Sequence, residues 1–336
     1  MPLVAHAIDA DRELFARELD SFVPEQVFDA HAHLWAKSHL PSTAGAAFSQ
    51  IDDDPINLAV YRRRMAELMP GREIIGGIFL PGAVGAFGDQ ANAQDEFLAT
   101  EVAKEKRAGG SMMVSPGMDP EFVRQQVRRL GLTGLKCYHL QSAKQPTWDA
   151  ELPDYLPESH VKVAHDEGLH ITLHMVKSRA IAEPSNQHWI RHYCEKYPDM
   201  KMILAHAARG FNVYHTIEGL SALKGLPNLW CDMAAVTEVG ACEAIIEILG
   251  HDRLLYGTDF PISHLRGRCV VIGDGFLWLY DDSLDWSKVS HEPLQPVLVG
   301  LESLRILKQA AWHRRLSDRQ VEDIFRNNGL RLLGKA

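Results

Sequence analysis

Cysteine is scarce in this chain and badly placed for pairing. Cys137, Cys194, Cys231, Cys242 and Cys269 form no C-x-x-C pair, are odd in number and lie far apart. That spacing argues against a disulfide framework and a thiolate zinc site, and buried free thiols in a reducing compartment are the simpler expectation. An excess of positive charge is also missing. With 35 Lys and Arg against 44 Asp and Glu, a net charge of -9 and no basic stripe, the chain lacks the concentrated charge that binding nucleic acid needs. No stretch approaches the roughly 20 apolar residues of a membrane helix. Met1 to Leu14, which carries Asp9, Asp11 and Glu13, does not read as a signal peptide. A cytoplasmic protein that meets neither membrane nor nucleic acid is expected. Repeats, low-complexity tracts and interdomain linkers are missing as well, so residues 1–336 are expected to form one domain.

What is present is a regular alternation of apolar runs and amphipathic stretches. The first strand runs through Phe28-Asp29-Ala30-His31-Ala32-His33-Leu34. Further strand-like runs are Glu73 to Leu80, Ser111 to Val114, Leu132 to Leu140, Gly168 to Val176, Met200 to Ala207, Leu229 to Val236 and Leu254 to Phe260. Helical patterns separate most of them: Ile56 to Met69, Ala91 to Arg107 (ended by Gly109-Gly110), Leu156 to Glu167, Ala180 to Tyr197, Val213 to Leu223 and Glu238 to Leu249. Asp119-Pro120 opens another, because aspartate caps well and proline is tolerated at the first helical position. Eight such units predict an α/β fold, a closed (β/α)8 TIM barrel. Elaborated loops are expected after strand 1 (Trp35 to Pro55) and after strand 8 (residues 262–295).

In a barrel of this type the chemistry lies at the carboxyl ends of the strands. Strand 1 ends in His31 and His33, which share a face because side chains two apart on a strand point the same way. Lys136 lies in strand 4, strands 5 and 6 end in His174 and His206, and strand 8 ends in Asp259. Each has an ordinary alternative: a rim histidine, a helix cap, a surface lysine. Five strands each delivering a titratable or metal-compatible side chain at one face is the informative coincidence. His6, His160, His165, His188, His192, His251 and His313 fall in helical or terminal segments and read as structural or surface residues.

The set His31-x-His33, His174, His206 and Asp259, in this order, resembles the amidohydrolase superfamily of metal-dependent (β/α)8 enzymes. The fragments Ala205-His206-Ala207-Ala208-Arg209-Gly210 and Tyr256-Gly257-Thr258-Asp259-Phe260-Pro261 and the ending Ile324 to Leu332 resemble its amidohydrolase-related branch. That branch also contains the aminocarboxymuconate-semialdehyde decarboxylase-like enzymes. The resemblance spans about Val27 to Leu333. It implies that His31, His33, His174 and Asp259 hold one divalent ion, zinc first and manganese second. His206 then either binds a second metal or acts in proton transfer. Lys136 either is carboxylated and bridges two metals or binds a substrate carboxylate. A homodimer is one partner state the branch allows.

The expected activity is hydrolysis of a lactone, ester or amide of a small carboxylated substrate. Asp259 and His206 are the catalytic residues, and Lys136, Tyr138, Arg209 and Arg266 (or Arg268) bind substrate. Trp35, Phe260, Trp278 and Tyr280 either line the pocket or pack the loops. One rival is non-oxidative decarboxylation or hydration of an aromatic or muconate-like acid with the same ligands. Another is a non-catalytic ligand-binding barrel, against which the full ligand set argues.

Overall fold

Strands β1 (Gln26–Leu34), β2 (Glu73–Pro81), β3 (Ala108–Met113), β4 (Gly134–Cys137), β5 (His170–Leu173), β6 (Lys201–Leu204), β7 (Leu229–Asp232) and β8 (Leu254–Leu255) pair in chain order, each parallel to the next. This computed structural model describes residues 3–42, 44–82, 89–142, 144–289, 291–292 and 294–335. Beyond β8 the chain returns to β1. Tyr256 O accepts the N–H of Ala30 at 2.8 Å, His31 O accepts that of Asp259 at 2.7 Å, and Phe260 O accepts that of His33 at 3.0 Å. Those bonds close the expected (β/α)8 TIM barrel, with helices between the strands.

Local chemistry explains the element boundaries. Asp119 accepts the N–H groups of Glu121 and Phe122 and starts the helix Pro120–Leu130, and Gly131, at φ +64, ends it. At the other end of the chain, Asn328 donates to the carbonyls of His251 and Leu254, 2.8 Å each, and ties the C-terminal helix to β8. Gly329 is required there because a Cβ would lie 2.3 Å from the Phe28 ring. Leu330 and Leu332 then close a core cluster made with Phe28, Ala30, Ile78, Leu80, Ile203 and Leu255. All five cysteines are free and buried. Among the described residues no helix is long and apolar enough to cross a membrane.

Some expected boundaries move. Gly109 and Gly110, read as the end of a helix, lie inside β3, where a Cβ on Gly110 would come within 2.8 Å of the Leu132 side chain. Close packing, not turn chemistry, explains glycine there. The helix expected from Ala180 begins at Pro184, after a single 3-10 turn over Ala180–Ala182. Of the run Leu254 to Phe260 only Leu254–Leu255 is ladder strand. Residues 262–295, read as loop, contain an antiparallel hairpin: β9 (Gly267–Ile272) and β10 (Gly275–Tyr280) turn at Gly273-Asp274. A Gly-Asp pair between two β-rich runs is a hairpin signal in the sequence itself.

Candidate active site

The site begins with an irregularity in β1. Asp29 pairs with Gly77 and Ala32 with Phe79, so β1 advances by one residue more than β2. This bulge shifts the alternation of side chains. Phe28 and Ala30 belong to the interior cluster and Ala32 and Leu34 to the helix-side core, while His31 and His33 both face Asp259. Asp29, fully buried, holds the bulge. Its Oδ1 accepts the N–H groups of His31 and Thr258, each at 3.0 Å, and its Oδ2 accepts the hydroxyls of Tyr61 at 2.6 Å and Thr258 at 2.5 Å. Burial raises its pKa, and the hydrogen bonds from Thr258 and Tyr61 work against the rise.

Each strand 1 imidazole has its Nδ1 on an acceptor that carries no proton. Nδ1–H of His31 donates to Asp232 Oδ2 at 2.9 Å, and Nδ1–H of His33 donates to Pro81 O at 2.8 Å. With the rings neutral, those acceptors take the single ring proton on Nδ1 and leave both Nε2 atoms as bare lone pairs. The two Nε2 atoms lie 3.5 and 3.4 Å from the same oxygen of Asp259. Asp259 leaves the end of the barrel at φ +54, a left-handed conformation. Burial works to raise its pKa, and positive charge on the rings of His206, His33 and His31, when they are protonated, holds its carboxyl far below the usual carboxylate range; with those rings neutral, a bound cation has to supply that charge. His31 Nε2 is buried without a hydrogen-bond partner among the described residues. Two lone pairs aimed at an ionised oxygen repel one another unless a cation sits between them. The donor set His31, His33 and Asp259, with ligand atoms all within 4.8 Å of one another, therefore fits a divalent transition metal.

His206 follows β6 in a turn of unusual hand. His206, Ala207, Ala208 and Arg209 have φ values of 57, 52, 60 and 59, and none is glycine. Its Nδ1–H donates to Ala234 O at 2.8 Å, so its Nε2 is also a free lone pair. The His206 ring lies 4.9 Å from that of His31 and stacks on Phe211 at 5.2 Å. His31, His206 and Asp232 make up a second compact group. His174 follows β5 and stands beside His206 at 5.0 Å and Tyr138 at 4.5 Å between ring centres, outside both three-residue groups. Lys136 in β4 is buried. Burial lowers its pKa, and the nearby carboxylates of Asp232 and Asp259 oppose the shift. Burial and the Asp259 charge push the Tyr138 hydroxyl up to about 12.

The rim departs from expectation at Arg266. Arg266 is not a substrate-facing group. Its guanidinium pairs with the buried Asp11 carboxylate at 2.6 Å and caps His6 O, which fastens the N-terminal helix Asp9–Leu14 to the barrel. Arg268 bonds Thr237 O at 2.8 Å. Trp35 and Phe260 are fully buried and pack the loop after β1. By contrast, Trp278 and Tyr280 lie on the hairpin, where Phe276 and Trp278 pack on Phe211. Arg209 reaches the rim, with its guanidinium 5.0 Å from the Trp148 ring and 5.6 Å from that of Phe276.

The sequence does not single out Asp232, because the run Leu229 to Val236 reads as one strand through it. The signal was the one that marked Asp259, an apolar run ending in aspartate. Asp29, His139 and Trp148 carried no periodic signal. A groove of about 750 Å³, lined by Phe22, Trp312, Leu316 and Val321 among others, shares no residue with this cluster.

The amidohydrolase family model matches residues 28–335. The chain belongs to the amidohydrolase family. This amidohydrolase is accordingly an enzyme of a metal-dependent family, and solved structures agree on its fold. It is similar to an amidohydrolase from Burkholderia multivorans with bound zinc (15% identity, TM-score 0.57, covering 92% of this chain and 99% of that one). It is similar to a putative 2-pyrone-4,6-dicarboxylic acid hydrolase from Pseudomonas putida (14% identity, TM-score 0.57, covering 93% and 99%). A third similar structure is 5-carboxyvanillate decarboxylase from Sphingomonas paucimobilis (14% identity, TM-score 0.53, covering 93% and 99%). No curated protein matches the amidohydrolase in sequence.

Proposed function

We propose that this amidohydrolase is a metal-dependent hydrolase that activates water to cleave a C–O or C–N bond of a small carboxylated substrate. The observation that carries the reading is the pair of bare Nε2 atoms of His31 and His33 facing one oxygen of Asp259. These three residues would hold one ion, zinc first and manganese second, with His174 as the fourth ligand. A second ion would draw on His206 and a carboxylated Lys136. A divalent ion bound here supplies Lewis acidity, which polarises a carbonyl and makes water acidic near neutral pH.

The protein's own groups divide the remaining work. Asp259, held ionised, accepts the proton of the attacking water and returns it to the leaving oxygen or nitrogen, so no proton is lost or gained overall. Tyr138 stays protonated at neutral pH and donates to the substrate carbonyl. Lys136 and Arg209 hold the substrate carboxylate, Arg209 by a bidentate contact. The rings of Trp148 and Phe276, each against the Arg209 guanidinium, and Phe211 beside Phe276 would limit water at the mouth. Buried free thiols support the cytoplasmic reading.

One observation favours a second reading, non-oxidative decarboxylation of an aromatic or muconate-like acid. The Nε2 of His206, left free by the bond from Nδ1 to Ala234 O, would take a proton from water and pass it to the ring carbon as CO2 leaves. The test is a screen of metal-reconstituted enzyme against lactones such as 2-pyrone-4,6-dicarboxylic acid, amides, and aromatic acids such as 5-carboxyvanillate. Ring-opened acid without CO2 supports hydrolysis, and CO2 release replaces it with decarboxylation. Turnover of none of them with zinc or manganese bound overturns both.

A further inference from the structure

We infer that Asp232 is a positioning residue that fixes the tautomer of His31, and that its own orientation is locked by the strained turn carrying His206. The inference rests on the metal reading above for its consequence, but its geometry stands apart from it.

Asp232 is the last residue of β7 and is completely buried. Its two oxygens do different work. Oδ2 accepts Nδ1–H of His31 at 2.9 Å. Oδ1 accepts the N–H of His206 at 2.8 Å and of Ala234 at 3.1 Å. A carboxylate only accepts, so the proton of the neutral His31 ring must sit on Nδ1, and Nε2 is left bare beside Asp259. The backbone on the Oδ1 side has little freedom to adjust. Left-handed backbone is unfavourable for every non-glycine residue, and four consecutive residues from His206 adopt it. Gly210 N–H closes that turn on His206 O at 2.6 Å, and Thr216 Oγ1 holds Ala207 O at 3.0 Å. The amide of His206 is thereby presented in one direction, and Asp232 receives it. One buried carboxylate thus links a metal-facing imidazole on β1 to the loop after β6.

This arrangement makes an isosteric substitution informative. In Asp232→Asn the carboxamide oxygen must remain on the side of the two backbone N–H groups, since its NH2 would meet two donors there. The NH2 therefore faces His31 and donates to Nδ1, which drives the ring proton to Nε2. The backbone contacts survive and only the tautomer inverts.

The experiment uses histidine-15N-labelled full-length protein, stripped of metal, and zinc affinity from chelator competition. In the wild type, His31 is expected as the Nδ1–H tautomer. In Asp232→Asn it is expected as Nε2–H, with zinc affinity down 10- to 100-fold and thermal unfolding of the metal-free protein within a few degrees. A purely structural role would lower the melting temperature without inverting the tautomer, and that result overturns the inference. An Nε2–H tautomer in the wild type overturns it too, and this measurement does not depend on the variant folding. Should the tautomer invert as described while the wild type binds neither zinc nor manganese, the metal reading falls and the positioning role of Asp232 stands.

Discussion

Oδ1 of Asp29 accepts the backbone N–H of His31 across the β1 bulge at 3.0 Å, so a carboxylate on the helix side of the strand decides where an imidazole on the inner side points. Replacing Asp29 by alanine leaves the Tyr61 and Thr258 hydroxyls and two amides without their acceptor. Each unsatisfied buried group costs about 1–3 kcal/mol, so Asp29→Ala is expected to lose 3 kcal/mol or more in urea unfolding, on the order of the worst single substitutions. Asp29→Asn should lose less.

Metal retention and turnover should separate. His31→Ala and His174→Ala are expected to purify without metal, as read by elemental analysis. Asp259→Asn should keep much of its metal while kcat falls by about 10²–10⁴-fold, the usual contribution of a general base. Metal retained at wild-type level in His174→Ala would remove His174 from the ligand set, and an active Asp259→Asn would remove the proposed base.

The two arginines should behave oppositely. Arg209→Met is expected to raise KM for carboxylated substrates about 10- to 100-fold, with KM for uncharged esters little changed. Arg266→Met should leave KM alone. It strands the buried Asp11 carboxylate, a change that costs about 3–5 kcal/mol when a buried pair is broken, and denaturant unfolding should show the loss.

The hairpin is held at its turn. Asn212 Nδ2 donates to Gly275 O at 3.0 Å, and the Asp274 carboxylate meets His215 Nε2 at 3.0 Å and Arg179 Nε at 3.3 Å. Asn212→Ala should therefore speed amide exchange over Phe276 to Tyr280 and leave the exchange of β4 to β7 unchanged. Exchange equal to wild type in the hairpin would show that the aromatic packing on Phe211 suffices to hold it.

Acid stability should report on His170. Burial, helped by the charge of Lys201, brings its pKa down to about 3 from 6.5, and its ring bonds the Ser111 hydroxyl at 2.9 Å. The unfolded chain takes a proton below pH 6.5 that the folded chain refuses until about pH 3. This contribution is thus complete above pH 6.5 and declines as pH falls through that window, at about 1.4 kcal/mol per pH unit. The unfolding free energy of His170→Asn should have a correspondingly shallower slope between pH 6 and 4.5. Equal slopes would exclude the group.

The sequence by itself determined the alternation of strands and helices, and with it the barrel, because apolar periodicity is local and survives in the linear order of residues. It also marked His31, His33, His174, His206 and Asp259, since each ends an apolar run or shares a strand face. The tertiary structure decided which of them meet. The bulge at Asp29, the left-handed turn from His206, the Asp232 bond to His31 and the pairing of Arg266 with Asp11 join residues distant in the chain or adopt backbone that propensity disfavours. Such contacts are set by closure of the barrel, in which strands far apart in sequence become neighbours, and no local pattern encodes which buried donor will find which acceptor.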